Sequence, residues 1–343
     1  MKKFLSLFCV LALAFSLAAC SASPKSPFTR AGFLSDPSVK AVASVSERAE
    51  YSVKYSANDK SEVGAIYTLF EAESYLTTEL STFTSDGSVG KAGDKYYLFE
   101  THTYIKGEYE IGGTLTPAEN DVTTKVYMAG LGEGFYPVFS TRTVKADSLE
   151  NGENGLEAVR YDFELSTTYD RVERTATVDL RANNPADNAK YSLLKGGETS
   201  ASYTLSKVDF TNYIDNEALL FAPRAMSLSS STSLGFASID ALSKSVDDLR
   251  LVCSATGKTE FKDNSYSRKD SDLDLSEYVV DPVSTITLSL SIVSTYAGSP
   301  QTLTFADSSE AHEYMRLISM TVPATYNIGT FEFTIRSSEY GTR

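Results

Sequence analysis

Apolar and polar residues alternate with a period of two along much of the chain, which is the pattern of half-buried β-strands. In the clearest example Tyr161, Phe163 and Leu165 fall on one face, with acidic and hydroxyl side chains between them. In a second alternating stretch, 172–180, the apolar residues stand at even-numbered instead of odd-numbered positions. The two stretches therefore predict a β-hairpin with a turn near Asp170.

A second hairpin is predicted between 286–292 and 303–305, because residues 297–300 supply turn-forming residues between two alternating stretches. The short spacings between such stretches favour antiparallel pairing. Further strands are predicted at Lys95–Ile105, Lys125–Met128, Phe135–Val144, Ala201–Phe210 and Thr330–Arg336.

Four stretches have helical spacing instead, at 61–70, 216–221, 238–249 and 308–319. The last is the clearest, because Asp307 and Glu310 have capping-box spacing ahead of an apolar face. The expected fold class is therefore a β-rich α+β fold, in which one or two curved antiparallel sheets carry a few helices on one face. Turn residues at 182–197 mark a possible internal boundary.

The amino-terminal residues read as an export signal. Lys2 and Lys3 precede the short apolar run Phe4–Phe15, which is too short to span a membrane, and Leu17-Ala18-Ala19-Cys20 follows. This stretch resembles the lipobox of bacterial lipoproteins. The resemblance implies a signal peptide at 1–19, a lipidated Cys20 with a tether at 20–36, and a β-rich domain at 37–343 on the extracytoplasmic side of the cell membrane.

A curved sheet that holds helices resembles the lipoprotein carriers of the LolA and LppX kind, which implies a hydrophobic ligand. Two groups of side chains are the candidate ligand contacts: the aromatic run Phe135, Tyr136 and Phe139, and the predicted helix face Tyr314, Met315 and Ile318. The alternative is a surface interaction protein with a solid core that binds a protein or cell-wall partner. The two differ in whether an apolar cavity exists.

Charge and composition narrow the partners. The formal net charge of −14 becomes −16 when Lys2 and Lys3 leave with the signal, and the mature chain has no run of basic residues. A nucleic-acid surface needs a basic stripe, so nucleic acid is not expected as a partner. With the lipidated Cys20 aside, Cys253 is the single thiol of the mature chain, so we expect no internal disulfide and a monomer.

No residue pattern supports catalysis, and a secreted hydrolase is the weakest of the three alternatives. The segment 254–259 lacks the first glycine of a phosphate-binding loop. Asp270, Asp272 and Asp274 alternate as calcium ligands do, but Leu275 stands where the loop needs glycine. We therefore expect a non-catalytic binding module without a cofactor or a metal.

Overall fold

A computed structural model describes residues 45–58, 64–129, 136–153, 155–184, 198–208, 210, 213–225, 233–240, 245–259, 268–270, 283–292, 302–306 and 317–342. These ranges contain seventeen strands and four short 3₁₀ helices. The strands are β1 (Val45–Ala57), β2 (Ala65–Leu69), β3 (Tyr75–Thr84), β4 (Lys95–Ile111), β5 (Thr114–Ala129), β6 (Tyr136–Gly152), β7 (Gly155–Asp170), β8 (Thr175–Ala182), β9 (Ser200–Ser206), β10 (Tyr213–Ile214), β11 (Ser233–Asp240), β12 (Ser245–Thr259), β13 (Arg268–Asp270), β14 (Val283–Ile292), β15 (Thr302–Ala306), β16 (Leu317–Pro323) and β17 (Gly329–Thr342). The 3₁₀ helices are Glu71–Glu73, Asn216–Ala218, Ala222–Ala225 and Thr325–Asn327.

All the strands belong to one sheet. Starting from β9, the order is β9, β8, β7, β6, β5, β4, β3, β1, β17, β16, β15, β14, β12, β11 and β10. Strand β2 continues the line of β3 along β4, and β13 pairs with the end of β17. Among the described strands, every pairing is antiparallel except β10 with β11 and β13 with β17.

The sheet curls around residues 213–225, which we call the inner segment. Asp215 of this segment hydrogen-bonds to Tyr169 of β7, and its neighbour Asn216 donates to the carbonyl oxygen of Ile239 in β11 at 3.0 Å. Strands β7 and β11 are eleven steps apart in the sheet, which would be about 50 Å if the sheet were flat. Two adjacent residues contact both strands because the sheet bends back around them.

The inner segment completes the main hydrophobic core. Phe221 is fully buried, and its ring lies 5.1 Å from that of Phe99 in a stacked arrangement. Burying a phenylalanine contributes about 1.5–3 kcal/mol. The segment's other members of this core are Ile214, Ala218, Leu219 and Ala222, all at most 4% exposed. The chain's own residues therefore occupy the apolar space that the sheet encloses here.

The fold-class prediction of α+β is wrong: the described residues form a β-sheet fold and contain no helix longer than four residues. The predicted helix at 238–249 is the end of β11 and the start of β12, paired from Ser233↔Val252 to Asp240↔Ser245. The predicted helix at 61–70 is β2 over its described part, followed by a single 3₁₀ turn. At 216–221 only Asn216–Ala218 is helical, as a 3₁₀ turn.

Both predicted hairpins are present in the structure. The hairpin around Asp170 is confirmed as β7 and β8, and the second hairpin as β14 and β15. Of the predicted helix at 308–319, residues 317–319 lie in β16 and the rest lie outside the described residues. The possible boundary at 182–197 is likewise almost entirely outside them.

Candidate functional site

A cluster of polar side chains lies inside the curled sheet, where the inner segment meets β6 and β7. Asp215, 3% exposed, accepts hydrogen bonds from the Ser140 hydroxyl at 2.7 Å, from the Tyr169 hydroxyl and from the Glu217 backbone N–H at 2.7 Å. Tyr213 donates to the Tyr169 hydroxyl at 3.0 Å. Because each of these hydroxyls has a hydrogen-bond partner, the cluster avoids the cost of burying unpaired polar atoms.

Burial controls the protonation of this cluster. It raises the pKa of the Asp215 carboxyl, although the hydrogen bonds from Tyr169 and Ser140 oppose the rise. Burial also raises the pKa of Glu217, and the Arg142 guanidinium, 3.2 Å away, opposes that rise. The void beside these groups is about 10 Å³, the space of one water molecule. The cluster therefore joins the inner segment to the sheet and leaves no room for a larger ligand.

A second polar contact holds the other end of the inner segment. The Arg224 guanidinium binds the Glu47 carboxylate through two hydrogen bonds of 2.9 and 2.7 Å, and both residues are about 5% exposed. Such bidentate pairs fix geometry as well as charge. The inner segment is thus attached to β6 and β7 at one end and to β1 at the other, with Phe221 between.

A larger concavity of about 620 Å³ crosses β6 to β9. Its lining consists of three rows of residues, each row made of one residue from each of β6, β7, β8 and β9 that are paired across the sheet. The middle row faces the core, because Leu165 and Leu180 are buried and Arg142 reaches inward to Glu217. The concavity is therefore a trough on the outer face, and its floor is the backbone of that middle row. Its walls are the rows Thr141–Ser166–Asp179–Ser202 and Thr143–Glu164–Arg181–Ser200.

Strand geometry gives the size of this trough. Residues two apart on one face are about 7 Å apart along a strand, and three gaps between four strands give about 15 Å. The walls carry five hydroxyl groups, the carboxylates of Glu164 and Asp179, and the guanidinium of Arg181. Apart from Thr141 and Ser166, the wall residues are exposed. The trough can therefore offer both donors and acceptors to a polar chain lying across the strands.

The structure does not gather the sequence-predicted ligand contacts into one site. Tyr136 and Phe139 are half-buried in β6: Arg171 lies 4.6 Å over the Tyr136 ring, and Phe139 contacts Tyr127 at 5.9 Å. Ile318 is fully buried in β16 and belongs to the main core. Phe135, Tyr314 and Met315 lie outside the described residues, and so does Cys20.

The metal candidates are only partly described. Asp270 ends β13, whereas Asp272 and Asp274 lie outside the described residues. Within the described ranges, no group of three or more His, Cys, Asp or Glu could hold a metal ion. The same ranges contain no helix long and apolar enough to cross a membrane.

Sequence reasoning missed the buried polar cluster, although one signal was present. Ser140, Arg142 and Val144 are two residues apart on β6, so their side chains point to the same, inner face of the sheet. An uncharged residue is expected at such a position, but position 142 holds an arginine. An arginine at a core position needs an acidic partner. That partner, Glu217, is 75 residues away in the sequence, and no local pattern connects the two.

Comparison with known proteins gives only a distant likeness. No family model and no curated protein matches the chain. Among solved structures, the chain is similar to a beta-barrel-like protein of the domain of unknown function DUF1849 from Brucella abortus, with a TM-score of 0.45 and 10% sequence identity. The match covers 87% of this chain and 98% of that one. A likeness at this level identifies neither a family nor a function.

Proposed function

We propose that this protein is a lipid-anchored, non-catalytic binding module of the cell envelope that binds a polar cell-wall polymer in the outer trough. The observation that carries the proposal is the contrast between the two sides of the sheet. Inside, the apolar space is filled by Phe221 and its neighbours; outside, a 620 Å³ trough is lined with hydroxyl and charged groups. A ligand bound there would be recognised by hydrogen bonds.

This contrast favours the surface module over the lipid carrier. A carrier must keep apolar surface unfilled, whereas five core residues of the inner segment are at most 4% exposed. Cell-wall polymers carry hydroxyl, amide and carboxylate groups, and the trough walls hold partners for all three. The lipid on Cys20 would keep the module in the envelope beside such a polymer.

Co-sedimentation with purified peptidoglycan sacculi tests the proposal. We expect the purified mature protein to sediment with sacculi, and Ser166→Tyr to reduce the bound fraction because a bulky ring at the centre of one wall obstructs the trough. The matched control is Thr168→Tyr, an exposed position two residues along the same strand and outside the lining. No sedimentation, or equal losses in the two variants, would refute binding in the trough.

The anchor has its own test. Cys20→Ala should abolish incorporation of labelled palmitate and release the protein from the membrane fraction, because Cys20 alone follows a small-residue site after the apolar run. Palmitate incorporation that persists in this variant would overturn the anchor and leave the trough proposal standing.

A further inference from the structure

The charged residues of the outer trough fit one part of a cell-wall polymer better than the rest. Granted binding in the trough, which belongs to the proposed function, we propose that its ligand is the peptide part of that polymer. A free amino group of the peptide lies between the carboxylates of Glu164 and Asp179, and a carboxylate of the peptide binds the guanidinium of Arg181.

The two carboxylates of the trough lie on opposite walls. Glu164 of β7 is paired with Arg181 of β8, and Ser166, two residues further along β7, is paired with Asp179. Glu164 and Asp179 are therefore diagonal neighbours on the outer face, and such neighbours are about 7–8 Å apart in a sheet. Charge-assisted hydrogen bonds from nitrogen to oxygen are about 2.8 Å long. An ammonium group that lies between the walls can therefore contact both carboxylates.

A cation lies beside these two carboxylates. Arg181 is in the same wall as Glu164 and is two residues from Asp179 on β8. A guanidinium binds a carboxylate through two parallel hydrogen bonds. The trough therefore offers acceptors for one ammonium group and, next to them, donors for one carboxylate. A peptide that contains a diamino acid carries both groups, whereas a neutral sugar carries neither.

The three charges of the trough have no partners within the part of the chain that the structure describes. Arg181 is directly opposite Glu164, yet no ion pair joins them, and the Asp179 carboxylate has neither an ion pair nor a side-chain hydrogen bond there. Elsewhere on the outer face, Lys125 and Glu100 are also opposite each other, and these two do form an ion pair. The charges of the trough are therefore available to a ligand.

The balance of charge disfavours a polyanionic ligand. The trough walls hold two carboxylates and one guanidinium, which is a net charge of −1. The whole chain is also acidic, with a formal net charge of −14. A polymer of phosphate or uronate groups would be repelled by such a surface, because binding a polyanion needs an excess of Lys and Arg. A peptide with a free amino group has the complementary charge.

Sacculi with blocked amino groups test the ligand class. The purified mature protein would be sedimented with untreated sacculi, with sacculi N-acetylated by acetic anhydride, and with untreated sacculi in the presence of glycan strands that an amidase has freed of their peptides. We expect about tenfold weaker binding to the acetylated sacculi, because a hydrogen bond to a charged group is lost. We expect no competition from the glycan strands. Undiminished binding to acetylated sacculi, or competition by peptide-free glycan, would overturn the proposal.

Charge variants test where the amino group lies. Glu164→Gln and Asp179→Asn should each weaken binding to untreated sacculi about tenfold and lose little more on acetylated sacculi, because variant and acetylation remove the same contact. Glu110→Gln, at an exposed carboxylate of the outer face outside the trough, is the matched control and should bind like the wild type. Losses that multiply, or an equal loss in Glu110→Gln, would contradict an amino group between the walls.

The carboxylate contact has a parallel test. Arg181→Gln should weaken binding to untreated sacculi and should cause no further loss on sacculi whose carboxylates have been amidated with methylamine. An Arg181→Gln variant that binds untreated sacculi like the wild type would refute this contact.

The ligand class and the proposed function fail in different ways. Wild-type protein that does not sediment with untreated sacculi, or Ser166→Tyr that binds them fully, refutes binding in the trough and the peptide ligand with it. Binding that Ser166→Tyr reduces but that acetylation and Glu164→Gln leave unchanged refutes only the peptide ligand.

Discussion

The ring of Phe221 stacks on the ring of Phe99 with centroids 5.1 Å apart and planes 21° from parallel. Phe99 belongs to β4 and Phe221 to the inner segment, so this contact joins the sheet to the residues that fill it. The arrangement makes the inner segment part of the core rather than a cover over an empty cavity.

Truncating this contact should destabilise the whole fold. We expect Phe221→Ala to lower the free energy of unfolding by about 3–5 kcal/mol, because the removed ring leaves a cavity among fully buried neighbours. Urea denaturation measures the loss. Leu115→Ala, at a position 60% exposed, is the control and should change the value by less than about 0.5 kcal/mol. A loss at Phe221 as small as that of the control would show that the segment is not part of the core.

The buried pair Glu47–Arg224 should behave differently when one partner or both are replaced. Arg224→Met alone should cost about 3–5 kcal/mol, because it leaves the Glu47 carboxylate buried without its cation. Adding Glu47→Leu should recover most of that loss, since an apolar pair of similar volume has no charge to desolvate. Urea denaturation of both single variants and the double variant measures this coupling, and strictly additive losses would contradict it.

Asp215 should make stability depend on pH in a specific direction. Burial raises its pKa in the folded chain, so the folded state holds the proton more tightly than the unfolded state. The stability that follows is fully present below the unfolded pKa of about 3.9 and is lost as the pH rises through the folded pKa. Asp215→Asn keeps the shape of the side chain and removes this titration.

The measurement is urea unfolding of the wild type and Asp215→Asn between about pH 4 and pH 8. We expect the stability of the wild type relative to the variant to fall as the pH rises. A difference that is constant, or that changes in the opposite direction, would contradict a carboxyl with a raised pKa at this position.

Cys253 should be a slow thiol in the native protein. It is 3% exposed, and burial raises the pKa of its thiol, so both access and the thiolate fraction are low. We expect a thiol reagent to label it at a rate limited by unfolding in buffer and rapidly in concentrated urea. Rapid labelling in buffer would show that the strand β12 around it is open to solvent.

The alternation of apolar residues predicted much of the sheet, because each strand has one face in the core. The spacing of apolar residues gave a wrong prediction where two paired strands have apolar residues at helical intervals. Ile239 and Val246 are seven residues apart, which suits two helical turns, yet they are direct partners across β11 and β12. Ile66 shows a similar error: helical spacing assigned it to an apolar face, but it is 59% exposed on β2.

The outer trough and the buried polar cluster could not be predicted from the sequence, and the reason differs from that for the helix errors. The trough walls combine residues from four strands between Thr141 and Ser202, and the buried cluster joins Ser140 to Asp215. Both depend on strand register and on how the sheet curls, and these are set by pairings between distant parts of the chain. A period along the sequence carries no information on either.

The filled interior is tested most directly by measuring whether the purified protein carries lipid. The chain from Ser21 onward, exported behind a signal peptide without a lipidation cysteine, would be purified from the medium or periplasm, extracted with organic solvent and analysed by mass spectrometry. Because the inner segment fills the apolar interior, we expect far less than one lipid per chain. Recovery of one lipid per chain would contradict the filled interior and restore the carrier.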